Sequence, residues 1–391
     1  MRVTGRFWRR GPVGLAAVSL FGLACAFDLA PADWARGSGA ELHLGQAQAQ
    51  MEQPRPSPAA AGQETRPAET TQGPIQTRRF FSENSPWNKA IGKAPALAAT
   101  SGAIVAQLQQ FAGFQLNQNR WTVNVSMPPD GTPRQLVTDK GLADHAAEGF
   151  SYWGTADVPV APDAVGTPDD DAHLVIVDEA HNRVFNFYGT QRSGTGQLKA
   201  IGMGVFRLDG SGWWDPDGGT SPGPWTGRSS NASLLGGLIF PEELKAGAIP
   251  HALALGLDPE VGQSMDKDVS APAKTFDVHP TGRVPGGTRL QLDPDLDLNS
   301  LRLGREAMVI CRALQTYGAF IVESSSGLAL YFRSNHNRGM DQYAGMDFTG
   351  IRRGDPAFAV IRSKLRVVAP APPEGGYDYP SVWSPPNPRR Y

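Results

Sequence analysis

Cysteine is almost absent from this chain: Cys25 and Cys311 are the only two in 391 residues. Cys25 lies in an N-terminal run expected to be removed, which leaves one thiol and no intramolecular disulfide. Cys311 sits in the helical pattern EAMVICRALQTYG and reads as a buried small hydrophobe rather than a nucleophile. The core alone must hold the fold. An excess of either charge is missing too: 36 Lys and Arg face 38 Asp and Glu, a formal net charge of -2. With no Lys/Arg block there is no electrostatic footprint for nucleic acid. Long helical patterns are also scarce. The 45 glycines and 33 prolines imply many turns and short strands, which excludes a helix bundle.

Long apolar runs are lacking apart from Val13 to Phe27, which follows Arg2, Arg6, Arg9 and Arg10 and ends at Asp28. A basic segment before a stretch too short for a comfortable membrane span is the pattern of an export signal. Ala24-Cys25-Ala26 offers a cleavage site, and Ala47-Gln48-Ala49 offers another further downstream. Arg9-Arg10 fits twin-arginine export poorly, and Gly22 to Cys25 is an incomplete lipoprotein box. The reading is a signal peptide or N-terminal anchor over 1–27. Export follows, to periplasm, cell envelope or medium, with membrane contact only through that segment if it stays uncleaved. Residues 28–77 read as a disordered low-complexity linker, 78–368 as a single globular domain and 369–391 as a Pro-rich tail.

Within the globular unit, alternation dominates. WTVNVSM (121–127), HLVIVD (173–178), RVFNFYG (183–189), AIGMGVFRL (200–208) and TRLQLD (288–293) read as strands. HLVIVDEAHNRVFNFYG predicts a hairpin with Glu179 to Asn182 as its loop. AFIVESSSGLALYFR predicts a second one. Helices are expected over 101–113 with Ser101 as N-cap, over FPEELKAG with Pro241 in the first turn and Gly247 as stop, and over NSLRLGREAMVICRALQTYG. The class is α+β and strand-rich: an antiparallel sandwich or barrel-like domain with a few packed helices.

Candidate chemistry centres on histidine. Asp171 and His173, like Asp277 and His279, stand two residues apart, and in a strand such residues share a face. A carboxylate beside an imidazole fixes its tautomer and raises its basicity. For each motif taken alone, a structural pairing is the favoured reading, because perturbed residues also serve structural networks. His251 lies in GAIPHALAL, whose neighbours offer it no side-chain partner. A buried ring left unbonded costs about 1–3 kcal/mol, so the partner must come from elsewhere in the fold. Glu242 and Glu243 are adjacent and diverge, so they do not flank one glycosidic bond as a pair; either remains available as a single acid. DPDLDLNS (293–300) lacks the Gly and the Glu of a calcium loop, and neither a metal nor a cofactor is expected. Tyr152, Trp153, Trp213, Trp214 and Trp225 lie in Gly/Pro-rich loops, placed to stack on a ligand or to cover the core. Arg289 lies in a strand, suited to neutralise a substrate carboxylate or to face solvent.

Taken in order, ENSPWNKAI (83–91), DAHLVIVD, SSNASLLGGLIFPEELKAGAIPHALAL (229–255), VPGGTRLQLDPDLDL (284–298) and LQTYGAFIVESSSG (314–327) resemble a family of exported bacterial proteins with no settled activity. Its members carry Ser-x-Trp-Asn, Gly-x-Ile-x-His-Ala-Leu and Gly-x-Arg-x-Arg-Leu segments. The resemblance spans about Phe81 to Phe332 and makes His173, His251, Trp87, Asn88 and Asn231 family positions. The chain departs from that pattern at FDVHPTGR, which puts His279 in doubt, and in the strand it keeps only Arg289.

Two readings follow. One is an exported lyase or hydrolase acting on an extracellular or cell-envelope polysaccharide. There, His173 and His251 serve as paired acid and base, and Asp171 orients His173. Arg289, Asn231, Trp87, Asn88, Trp213, Trp214 and Trp225 hold the glycan. The other is a non-catalytic carbohydrate-binding or envelope structural protein. Histidine rings sharing one cleft favour the enzyme, and rings separated by core favour the binder.

Overall fold

The computed structural model describes residues 77–138, 155–214, 227–258, 261–263, 269–273, 284–336 and 338–370. The signal segment, nearly all of the linker, most of the Pro-rich tail, Tyr152, Trp153, Trp225 and His279 lie outside the described residues.

In chain order the strands begin with β1 (Gln115–Asn117), β2 (Asn124–Ser126), β3 (Arg134–Thr138), β4 (Thr155–Pro159) and β5 (Leu174–Asp178). Then come β6 (Arg183–Tyr188), β7 (Gln191–Arg192), β8 (Leu198–Lys199), β9 (Gly202–Arg207), β10 (Leu253–Leu257) and β11 (Gly262–Gln263). The last are β12 (Val284–Pro285), β13 (Arg289–Leu292), β14 (Ala319–Ser324), β15 (Ala329–Tyr331) and β16 (Leu365–Val368). The described helices are α1 (Ser101–Leu108), α2 (Pro241–Ala246), α3 (Arg305–Thr316) and α4 (Pro356–Ser363). None of them is long and apolar enough to cross a membrane.

Among the described residues strand outweighs helix, about 28% against 16%, so the domain is α+β and sheet-rich. The described sheets do not close into a barrel. A six-stranded sheet runs β1-β15-β10-β14-β13-β16, and a four-stranded sheet runs β2-β5-β6-β9. Both are mixed rather than purely antiparallel, because β1 pairs with β15, β10 with β14 and β2 with β5 in parallel.

The period-2 alternation of buried strands separates three cores. In β14, Ala319 and Ile321 face a core shared with Ile310, Leu314, Phe358 and Ile361 of α3 and α4. Phe320 and Val322 face the opposite way, into a core shared with Val175, Val177 and Val184 of the smaller sheet. Leu174, Ile176, Phe185 and Phe187 point away from that core, toward Val137, Ala156 and Val158 of the β3–β4 pair. The layers are therefore helices, large sheet, small sheet and β3–β4 ribbon. Strands buried on both faces need apolar residues throughout, which LVIVD and LALGL nearly supply.

The first predicted hairpin is present, with Asp178 opposite Arg183 and the loop at residues 179–182. The second is not a hairpin. β10 lies between β14 and β15, parallel to the first and antiparallel to the second. The chain after β14 must cross two interstrand spacings, roughly 10 Å, which its four-residue connection spans easily. β10 is buried at every position, so it gains most from a central place in the sheet. The helix predicted from Asn299 starts only at Arg305. Ahead of it, Leu298–Leu301 forms a 3-10 turn with the Asp297 side chain accepting from the Asn299 N–H. Ser101 is the first residue of α1 rather than its cap, and its hydroxyl accepts from the Val367 N–H.

Candidate functional site

His251 precedes β10 and is buried. Its Nδ1 lies 2.9 Å from the Ala252 carbonyl oxygen and its Nε2 lies 2.9 Å from Glu243 Oε1. Both neighbours carry acceptor oxygens, an arrangement that suits a ring donating from both nitrogens. Glu243 Oε2 accepts from the Phe240 N–H at 2.9 Å, closing the first turn of α2. Burial by itself lowers the His251 pKa, but the adjacent Glu243 charge and the two hydrogen bonds outweigh it and the value is raised. A recess of about 10 Å³, room for roughly one water, adjoins the ring between Phe80, Trp87, Asn88 and Phe240. With every polar atom engaged, His251 has no nitrogen left to act as base or acid. Its partner is the glutamate that sequence spacing retained as a lone acid.

His173 lies in another setting. Its ring donates to the Thr122 carbonyl and packs 5.7 Å from the Tyr188 ring, centroid to centroid. Burial, aided by the Arg228 charge, lowers its pKa to about 3, so it stays neutral. The two histidines share no partner, and the expected acid–base pair is not formed. Asp171 does not orient His173 either. Ala172 between them has φ +41, which breaks the extended conformation that would place both side chains on one face. The Ala172 carbonyl is held by the Thr190 hydroxyl at 2.6 Å, and the Asp171 carbonyl by the Gly189 N–H at 2.7 Å.

Around that turn the structure assembles groups that spacing did not connect. Arg228 is buried, ion-paired through Nη1 to Glu323 Oε1, and its guanidinium lies 4.1 Å from the centroid of the Tyr331 ring. Its Nε and Nη2 have no hydrogen-bond acceptor among the described residues. Tyr331 hydrogen-bonds to Glu323, and burial together with that carboxylate raises its pKa. Gly256 makes room for the phenol: a Cβ there would stand 2.2 Å from the Tyr331 hydroxyl oxygen. The Arg228 turn is strapped to β14 by the Ser230 N–H donating to the Val322 carbonyl at 3.0 Å. Asn231, in the left-handed region at φ +62, closes the turn through its N–H to the Arg228 carbonyl at 2.9 Å.

Asp171 completes the group. Burial raises its pKa to about 7, and the negative charges of Glu323, Asp169 and Asp170 add to the effect. Tyr188 is raised by burial and by Asp171 and Asp170. His173, Arg228 and Tyr331 are buried, while Asp171, Tyr188 and Glu323 are half-buried. Two carboxylates in different electrostatic states thus lie at the junction of the two sheets. One is pushed toward the neutral acid and the other is tied to a guanidinium.

Comparison with known proteins gives no identity. No family model, curated protein or solved structure matches the chain.

Among the described residues, the remaining sequence-predicted ones fall outside this cluster, apart from Asn231. Trp87 and Trp213 are core residues, stacked on each other at 5.1 Å and edge-on to Phe320, and Trp214 is buried as well. Asn88 is buried, its side-chain NH2 donating to the Phe80 and Ser82 carbonyls. Arg289 donates to the Tyr317 and Lys89 carbonyls and lies 4.8 Å from the Phe320 ring centroid, with burial lowering its pKa to about 10. It ties the N-terminal segment to the large sheet. Arg228, Glu323, Tyr188 and Tyr331 were missed. The available signals were a charged residue closing the buried run FIVE and an arginine beside the Ser-Asn-Ala segment.

Proposed function

We propose that the protein is an exported glycoside hydrolase acting on an extracellular or cell-envelope polysaccharide, with Asp171 as general acid and Glu323 as its ionised partner. The supporting observation is the contrast between the two carboxylates. Asp171 is raised to about 7, whereas Glu323 is bound by Arg228 and Tyr331. Two acids whose surroundings push their protonation apart are what glycosidic cleavage requires. Asp171 gives its proton to the leaving glycosidic oxygen as the C–O bond breaks. Glu323, as carboxylate, stabilises the positive charge developing at the anomeric carbon; water adds its hydroxyl there, its proton returns to Asp171, and a new reducing end appears. His173 stays neutral and buried, donating to Thr122. Of the lyase and the hydrolase that the sequence leaves open, the Asp171–Glu323 pair favours the hydrolase.

The saturated state of His251 favours the second reading, a non-catalytic glycan-binding protein, since that reading requires a satisfied core histidine. One assay separates them. The full chain, D171N and E323Q are incubated with neutral and acidic polysaccharides, and new reducing and unsaturated ends are measured. Reducing ends from the wild type, lost in both variants, support the hydrolase. Unsaturated ends identify a lyase, and no product on any polymer leaves the binder.

A further inference from the structure

The four described tryptophans divide sharply. Trp87, Trp213 and Trp214 are buried, whereas Trp121 is 46% exposed. An exposed indole is unusual, and this one is held by design of its surroundings rather than left loose. Trp121 has φ +53, a left-handed conformation uncommon for a bulky aromatic residue. Both of its backbone polar groups are clamped by buried side chains. Its N–H donates to Asp169 Oδ2 at 2.7 Å, and its carbonyl accepts from Asn117 Nδ2 at 2.6 Å. Asp169 and Asn117 are themselves buried and fixed, Asp169 Oδ1 by the Thr167 hydroxyl at 3.2 Å and Asn117 Oδ1 by the Gln115 side-chain NH2 at 3.0 Å. The acidic turn TPDDDAH (167–173) thus orients an aromatic residue.

The position of that residue names its role. Thr122, next in the chain, supplies the carbonyl that receives the His173 ring. Asp169, which clamps Trp121, stands two residues before Asp171 and contributes to its electrostatic field. Trp121 is therefore linked through Thr122 to His173 and through Asp169 to the surroundings of Asp171. A flat, preorganised apolar ring beside a site for sugar chemistry suits the C–H face of a pyranose. We infer that Trp121 is a sugar-stacking platform that binds one ring of a polysaccharide chain running into the Asp171–Glu323 site. This rests on the glycan reading above, though not on catalysis.

Binding is therefore the test. Full-length wild type, W121A and W121Y are run in native gels containing xylan, glucomannan, β-glucan, alginate or polygalacturonate, and retardation is measured. Thermal unfolding of each variant is recorded alongside. The expectation is retardation of the wild type in at least one gel, about tenfold weaker apparent affinity for W121A, and recovery by W121Y. Unfolding temperatures should be nearly equal, because much of the ring lies outside the core. Equal migration of wild type and W121A in every gel, whether both are retarded or neither, overturns the inference. Retardation that depends on Trp121 without release of reducing ends keeps the platform and removes the hydrolase.

Discussion

His251–Glu243 and Asp171–Glu323 are both pairs of ionisable groups packed near the large sheet, yet they differ in how their valences are filled. At His251, two ring donors meet two acceptors, and the remaining Glu243 oxygen caps a helix. Nothing there is left to react. Around Asp171, a carboxylate faces other carboxylates, and two donors of Arg228 have no acceptor among the described residues. A buried polar centre that closes its own hydrogen-bond ledger serves the fold, whereas one held in imbalance stores the capacity to bind charge or move protons.

The sharpest way to break this comparison is E323Q. Loss of the carboxylate should lower any glycan-cleaving rate by about a thousandfold while the amide keeps a partner for Arg228. Circular dichroism and a progress curve check it; unchanged turnover would return the acidic cluster to a structural role. H251A should do the reverse. Leaving the buried Glu243 carboxylate unpaired should cost about 3 kcal/mol of stability, read by urea unfolding, with activity per folded molecule preserved. Loss of activity in a stable H251A protein would restore a chemical role to that ring.

A third test uses pH. Asp171 must be protonated to act as acid, so the rate should fall up to tenfold per pH unit above about 7. Its raised folded value also means that its contribution to stability is present below the unfolded value of 3.8 and lost as pH climbs through about 7. A descending limb well below pH 6 would exclude Asp171. The smallest effect separates the two histidines by sign. The raised pKa of His251 gives stability that is present below 6.5 and lost as pH rises through the folded value. His173 behaves oppositely: its stability is present above 6.5 and declines as pH falls toward about 3. Imidazole resonances followed by NMR should show one ring holding its charge above the ordinary histidine value and the other neutral into acid; matching titrations would erase the distinction.

Local chemistry explains where sequence reading succeeds. The Glu179–Asn182 loop is flanked by alternating apolar residues, and α2 carries Pro241 at its start and left-handed Gly247 at its end. Such signals act within a few residues and need no distant partner. The reading fails where one residue or one strand changes the geometry. A positive φ at Ala172 separates Asp171 from His173, and insertion of β10 splits an apparent hairpin into two flanking strands. Of the tryptophans in Gly/Pro-rich loops, open on sequence between stacking on a ligand and covering the core, Trp213 and Trp214 are buried; Trp213 stacks on Trp87 between the sheets, while Trp121, read as a strand residue, faces solvent.

The sequence by itself determined the α+β, strand-rich class, the short apolar strands, the β5–β6 hairpin and the caps of α2, because periodicity and backbone preference are local properties. Tertiary structure alone decided that His251 meets Glu243, that Arg228 meets Glu323 and Tyr331, and that Asp171 shares its field with Glu323. Those pairings depend on burial and on the order of strands in two mixed sheets. The same side chain becomes a satisfied ion pair or a perturbed acid according to which neighbours the packing brings within reach of its charge.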